Sequence, residues 1–98
     1  MAARRFVHVG FCFKGDATRQ LPIDALEELF GKARDWMRYD FHCWILYTSA
    51  DLSVWRDRIK KVPGIEPSDN FFLCEFAANR YAGYQQKWFW EWLRKERD

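Results

Sequence analysis

Hydrophobic residues recur along this chain in two alternating rhythms. Residues 5–13, RFVHVGFCF, are mostly β-branched and aromatic, with Val7, Val9, Phe11 and Phe13 at every second position. The intervening set, Phe6, His8, Gly10 and Cys12, is mixed. A period of two predicts a strand buried fully on one face and partly on the other, ended by the polar turn Lys14-Gly15-Asp16. Gly10 inside it points to a bulge or a close backbone approach. From Pro22 the rhythm lengthens, and Ile23, Leu26, Leu29, Phe30, Ala33 and Met37 fall on one stripe. Asp24, Glu27 and Glu28 come early in that stretch and Lys32 and Arg34 late, the arrangement a helix dipole favours. A helix reaching to about Arg34 is the prediction.

Residues 36–48, WMRYDFHCWILYT, are too aromatic and β-branched to continue a helix. They predict a short strand over 36–39, a tight connection at Asp40 and a strand over 41–48, although Asp-Phe is a poor two-residue turn. The second of these strands is apolar on both parities, Cys43, Ile45 and Tyr47 against Trp44 and Leu46, which predicts a central place in its sheet. Leu52, Trp55, Ile59 and Val62 predict a second amphipathic helix, begun near Asp51 or Ser53 and stopped by Pro63-Gly64. A last strand covers 70–76, NFFLCEF. A closing helix spans about 86–96, with Trp88, Phe89, Trp92 and Leu93 on its apolar face and Trp90 turned elsewhere.

Strand, helix, strand, strand, helix, strand, helix, within 98 residues, predicts one α+β domain over 1–98. The expected architecture is a ferredoxin-like βαββαβ sandwich with an added C-terminal helix. Its first strand should lie between the third and the last, with two helices on one sheet face. The opposite face then needs its own cover, from the last helix, a second subunit, or both.

Composition narrows the function. Nine Phe, six Trp and four Tyr make 19% of the chain aromatic, which excludes a disordered chain. Sixteen basic and fourteen acidic residues leave a net charge of +2 and argue against a strongly basic nucleic-acid coat or a polybasic membrane anchor. No apolar run reaches the ~18 residues of a membrane span. The N-terminal run, broken by His8 and Gly10, is no convincing leader, and a cytoplasmic location is expected.

The candidates for chemistry are few. Cys12, Cys43 and Cys74 form no C-x-x-C pair, and strands ~4.8 Å apart cannot bring three in-line sulfurs to one zinc ion at ~2.3 Å. All three are expected in the core beside apolar neighbours, with no metal and no cofactor. Asp16, Asp40 and Asp69 sit at strand ends, each as suited to a turn as to a metal. Asp16 is the weak catalytic candidate. The loop Lys14 to Arg19 has one glycine and lacks a phosphate-loop signature. Arg4, Arg5, Arg56, Lys60 and Lys61 are the cations for a nucleic-acid or partner contact, diluted by Asp57. Six tryptophans exceed the needs of a small core, and Tyr81, Tyr84 and Trp90 are the candidates for a dimer or partner interface.

Residues 36–48, with Asp51-Leu52-Ser53, Asn70-Phe71-Phe72-Leu73, Tyr81-Ala82-Gly83-Tyr84 and Trp90-Glu91-Trp92-Leu93, resemble the small bacterial proteins of the SinR family. That family is similar in fold to the CRISPR-associated ferredoxin-like endonuclease and spacer-integration proteins and to toxin–antitoxin relatives. The resemblance implies a ferredoxin-like homodimer in a prokaryotic defence, mobile-element or RNA-control setting. The nuclease relatives carry an aspartate at the end of the first strand, where this chain has Gly10-Phe11-Cys12-Phe13. The expectation is therefore a non-catalytic dimeric module that contacts protein or nucleic acid. The alternatives are a divergent metal-dependent endonuclease using Asp16, and a small inhibitor or antitoxin docking on a larger nucleoprotein complex.

Overall fold

The computed structural model describes residues 3–12, 20–77 and 80–97. Phe13, the loop 14–19 with Asp16, and Asn79 lie outside the described residues. The elements are β1 (Arg5–Cys12), α1 (Ile23–Phe30), β2 (Asp35–Asp40), β3 (Cys43–Thr48), α2 (Leu52–Lys60), β4 (Asn70–Phe76) and α3 (Lys87–Arg94). The four strands form one sheet in the order β2-β3-β1-β4, each neighbouring pair antiparallel. β1 and β3 are central, as the two-sided apolar pattern of β3 requires.

Because strand side chains alternate, the sheet presents two faces. Val7, Val9, Phe11, Trp44 and Leu46 face α1 and α2 and pack against Leu26, Phe30, Trp55 and Ile59. Phe6, Met37 and Ile45 face the other way and pack against Phe89 and Leu93 of α3. The last helix covers its own sheet, giving three layers. No helix among the described residues is long and apolar enough to cross a membrane.

Local chemistry explains the boundaries. Asp51 caps α2, its carboxylate accepting from the Ser53 backbone N–H at 3.3 Å and from the Ser53 hydroxyl at 2.7 Å. Gly64 closes the α2–β4 loop with φ at +98°, where a side chain would strain the backbone, and a Cβ there would also crowd Pro22 at 3.1 Å. α1 ends at Phe30, short of the predicted Arg34, because the Arg34 N–H already donates to the Tyr47 carbonyl of β3 at 2.9 Å. Met37 continues the helical stripe by coincidence of spacing; it belongs to β2 and the opposite core. β3 begins at Cys43 and not at Phe41, since Phe41 and His42 form the turn. Asp40 and Arg38 hold that turn: the Asp40 carboxylate accepts from the Phe41 N–H at 2.8 Å, and the Arg38 guanidinium donates to the Phe41 carbonyl.

The C-terminal segment is tied down by Arg97, whose side chain is only 6% exposed. Its guanidinium lies 4.3 Å from the Trp92 ring centroid and 5.2 Å from that of Tyr47. It donates to the Asp35 carboxylate at 3.0 Å and to the Trp92 carbonyl at 2.6 Å. Burial opposes ionisation of Asp35, but the hydrogen bonds from Arg97 and the Trp36 N–H, with the charges of Arg97 and Lys95, outweigh it. The carboxyl is thereby held below its usual range.

Candidate functional site

Two features stand out among the described residues: a cleft between the sheet and α3, and the outer edge of β4. The cleft begins with a β-bulge. The β2–β3 register shifts between Arg38 and Asp40, and the displaced Tyr39 reaches over β3 to His8 of β1. Tyr39 Oη and His8 Nε2 share a hydrogen bond at 2.5 Å. Burial lowers the His8 pKa. Burial first, then the neighbouring Cys43, Asp40 and Cys74, push Tyr39 up to about 12. Both groups are therefore neutral near pH 7 and offer hydrogen bonding within an apolar wall.

Around this pair the chain leaves a cleft of about 310 Å³, lined by rings from β2, α3 and the segment before α3. Tyr39 meets Phe89 edge-on at 5.3 Å, and Tyr81 stacks on Trp90 at 5.9 Å and 21°. Arg80 and Gln85 also line it, and among the described residues no carboxylate does. Among the described residues no three His, Cys, Asp or Glu side chains are placed to hold a metal ion. Asp40 and Asp69 serve turns: Asp69 is buried and accepts from the Glu66 N–H at 2.9 Å.

The second feature follows from hydrogen-bond parity. The Phe11 N–H donates to the His42 carbonyl, so the odd residues of β1 direct their backbone groups at β3 and the even ones at β4. The β1–β4 register then pairs Phe6, His8, Gly10 and Cys12 with Phe76, Cys74, Phe72 and Asn70. Phe71, Leu73 and Glu75 are left with N–H and C=O groups pointing outward. Among the described residues no strand occupies that edge. Beside it runs a recess of about 440 Å³ lined by Leu52, Ser53, Arg56, Phe71 and Leu73 among others. Phe72 on the same strand is 66% exposed. The opposite edge, β2, carries Asp35, Arg38 and Asp40 and a bulge, the features that discourage pairing. β4 carries one charge, Glu75.

The predicted cations do not gather into one patch. Arg5 is ion-paired with Glu75 at 3.0 Å and Asp51 at 3.5 Å, and Arg56 with Asp57 at 3.1 Å. Lys60 and Lys61 are exposed at the end of α2, whereas Arg4 lines a separate recess with Lys32 and Arg34. Of the interface candidates, Tyr81 and Trp90 stack on each other at the cleft, while Tyr84 is fully exposed. The apolar face of α3 differs from the predicted one. Trp88 faces solvent and Trp90 packs inward, because Phe89 and Leu93 set the helix's rotation over Phe6 and Ile45. The cysteines also depart from expectation: Cys12 is exposed and Cys43 and Cys74 are half-buried, all on the mixed face of the sheet that α3 covers only in part.

Sequence reasoning missed the His8–Tyr39 pair, the Arg97 anchor and the open β4 edge. The available signals were the His at an even position of β1 and the single charge in NFFLCEF. Compared with family models, with curated proteins and with solved structures, the chain matches none.

Proposed function

We propose that the chain is a ferredoxin-like βαββαβ sandwich with an added C-terminal helix, working as a non-catalytic module that dimerises by joining β4 to β4. The sheet order supports the fold reading: taken from the other edge it runs β4-β1-β3-β2, with both α1 and α2 on one face. The outward backbone groups of Phe71, Leu73 and Glu75 carry the functional one. A strand edge left open among the described residues and carrying one charge is a template for another strand, and an antiparallel self-pairing is two-fold symmetric, the commonest way for identical chains to close. Centred on Leu73, such a pairing sets Phe71 of one chain opposite Glu75 of the other. Arg56, beside Phe71, then complements that carboxylate. Ring contacts and dispersed cations, two of them already ion-paired, suit adhesion to protein better than a salt-dependent grip on a phosphate backbone. The defence or mobile-element setting implied by the SinR-like segments belongs to the same proposal.

Sedimentation of the wild type, Glu75→Ala and Glu75→Pro tests it. Both substitutions remove the Arg5–Glu75 ion pair and leave that with Asp51, but only proline removes the outward N–H. Wild type and Glu75→Ala should sediment as dimers and a folded Glu75→Pro as a monomer. A monomeric wild type, or a Glu75→Pro dimer as tight as the alanine variant, overturns the proposal.

A further inference from the structure

The cleft under α3 has a chemistry of its own, independent of the β4 edge. Its volume of about 310 Å³ sits at the small end of ligand clefts, roughly 300–1,000 Å³, and suits one ring system with a substituent. The stacked pair Tyr81 and Trp90 supplies an aromatic wall. The half-buried His8–Tyr39 pair supplies neutral hydrogen-bonding groups on the sheet side. Gln85 adds an amide, which offers a donor and an acceptor side by side, the pattern that matches a base edge. Arg80 brings a cation, and among the described residues no carboxylate lines the cleft against it. A flat heteroaromatic ring with a polar edge and an attached anion satisfies all four features. A hydrocarbon ligand would use neither the amide nor the guanidinium, an aliphatic anion would leave the stacked rings unused, and a metal ion finds no cluster of ligands among the described residues.

We infer that the cleft binds a nucleobase carrying a phosphate, the ring against Tyr81 and Trp90 and the phosphate at Arg80. Base–aromatic stacking is worth about 1–3 kcal/mol in comparable sites, and an Arg–phosphate contact adds a charge-assisted hydrogen bond. The base can come from a free mononucleotide or from a single strand.

The test is NMR titration of the full chain with adenosine monophosphate, adenosine and a short oligoadenylate, repeated with Arg80→Ala. Arg80 is exposed, so the variant should fold. The monophosphate should shift the Trp90 indole N–H, Gly83 and His8 signals and bind about tenfold or more tightly than adenosine, a preference that Arg80→Ala abolishes. An oligoadenylate that binds more tightly than the monophosphate, with a steep salt dependence, identifies a strand as the source; equal affinity identifies the free nucleotide. Absence of shifts with all three probes at low millimolar concentration, shifts mapping elsewhere, or an unchanged preference in Arg80→Ala overturns the inference. Repeating the titration on Glu75→Pro separates it from dimerisation, because a monomer should bind the monophosphate equally well.

Discussion

The two faces of one sheet are built on different principles. Toward α1 and α2 lie Val7, Val9, Trp44, Leu46, Leu26, Phe30, Trp55 and Ile59, all fully buried. The two fully buried indoles on that face have partners: Trp55 donates to the Thr48 hydroxyl at 3.1 Å and Trp44 to the Glu27 carboxylate at 2.9 Å. Toward α3 a small buried set, Phe6, Met37, Ile45, Phe89 and Leu93, is ringed by half-buried Tyr39, Tyr47, Phe76, Tyr81, Trp90 and Trp92. His8 and Arg97 enter that side as well. One face is a dry core that stabilises the fold. The other is a platform of rings with polar ends, only partly covered by a single eight-residue helix. The cleft and the exposed Phe72 lie on this less tightly closed side, whereas Phe71 and Leu73 of β4 pack against the other core.

The sharpest way to break this contrast is a matched truncation. Phe30→Ala on the dry face should cost about 3–5 kcal/mol and unfold the whole chain cooperatively. Phe89→Ala should cost less, because its ring borders the cleft and the loss is confined largely to α3. Chemical denaturation followed by far-ultraviolet circular dichroism and by tryptophan fluorescence distinguishes the two; equal losses in both variants would erase the difference between the faces.

Arg97→Ala comes next. Removing a nearly buried guanidinium that stacks on Trp92 and hydrogen-bonds Asp35 should destabilise by about 2 kcal/mol, read as a lowered midpoint of thermal unfolding. Arg97→Lys should not restore it, since an ammonium lacks the planar fork. A lysine variant as stable as wild type would assign the effect to charge alone.

The smallest effect is a pH dependence. Burial lowers the His8 pKa in the folded chain, so the unfolded state binds the proton more tightly. Its contribution is present above the unfolded value, about 6.5, and is lost as pH falls through the folded value. Stability should decline as pH falls below about 6.5, and His8→Gln should flatten that decline. An identical slope in the variant would place the titration elsewhere.

Much of the fold was legible where the chemistry is local. NFFLCEF has the strand period and turn residues on its N-terminal side, and β4 occupies 70–76 as predicted. Asp51-Leu52-Ser53 carries its own cap, and α2 starts there. What escaped was set by partners distant in sequence. α1 stops early because Arg34 joins β3, and the spacing of Ala33 and Met37 carries no trace of that. His8 and Tyr39 are 31 residues apart and meet only because a bulge shifts β2. Trp88 and Trp90 are equally apolar in sequence; which one turns inward depends on the sheet beneath α3.

Residue-resolved amide hydrogen exchange at low and high protein concentration reads the β4 edge most directly. The Phe71, Leu73 and Glu75 amides should exchange fast when dilute and slow as concentration rises, while the inward Phe72 and Cys74 amides stay protected throughout. Fast exchange of those three amides at every concentration would contradict an edge that binds its own copy.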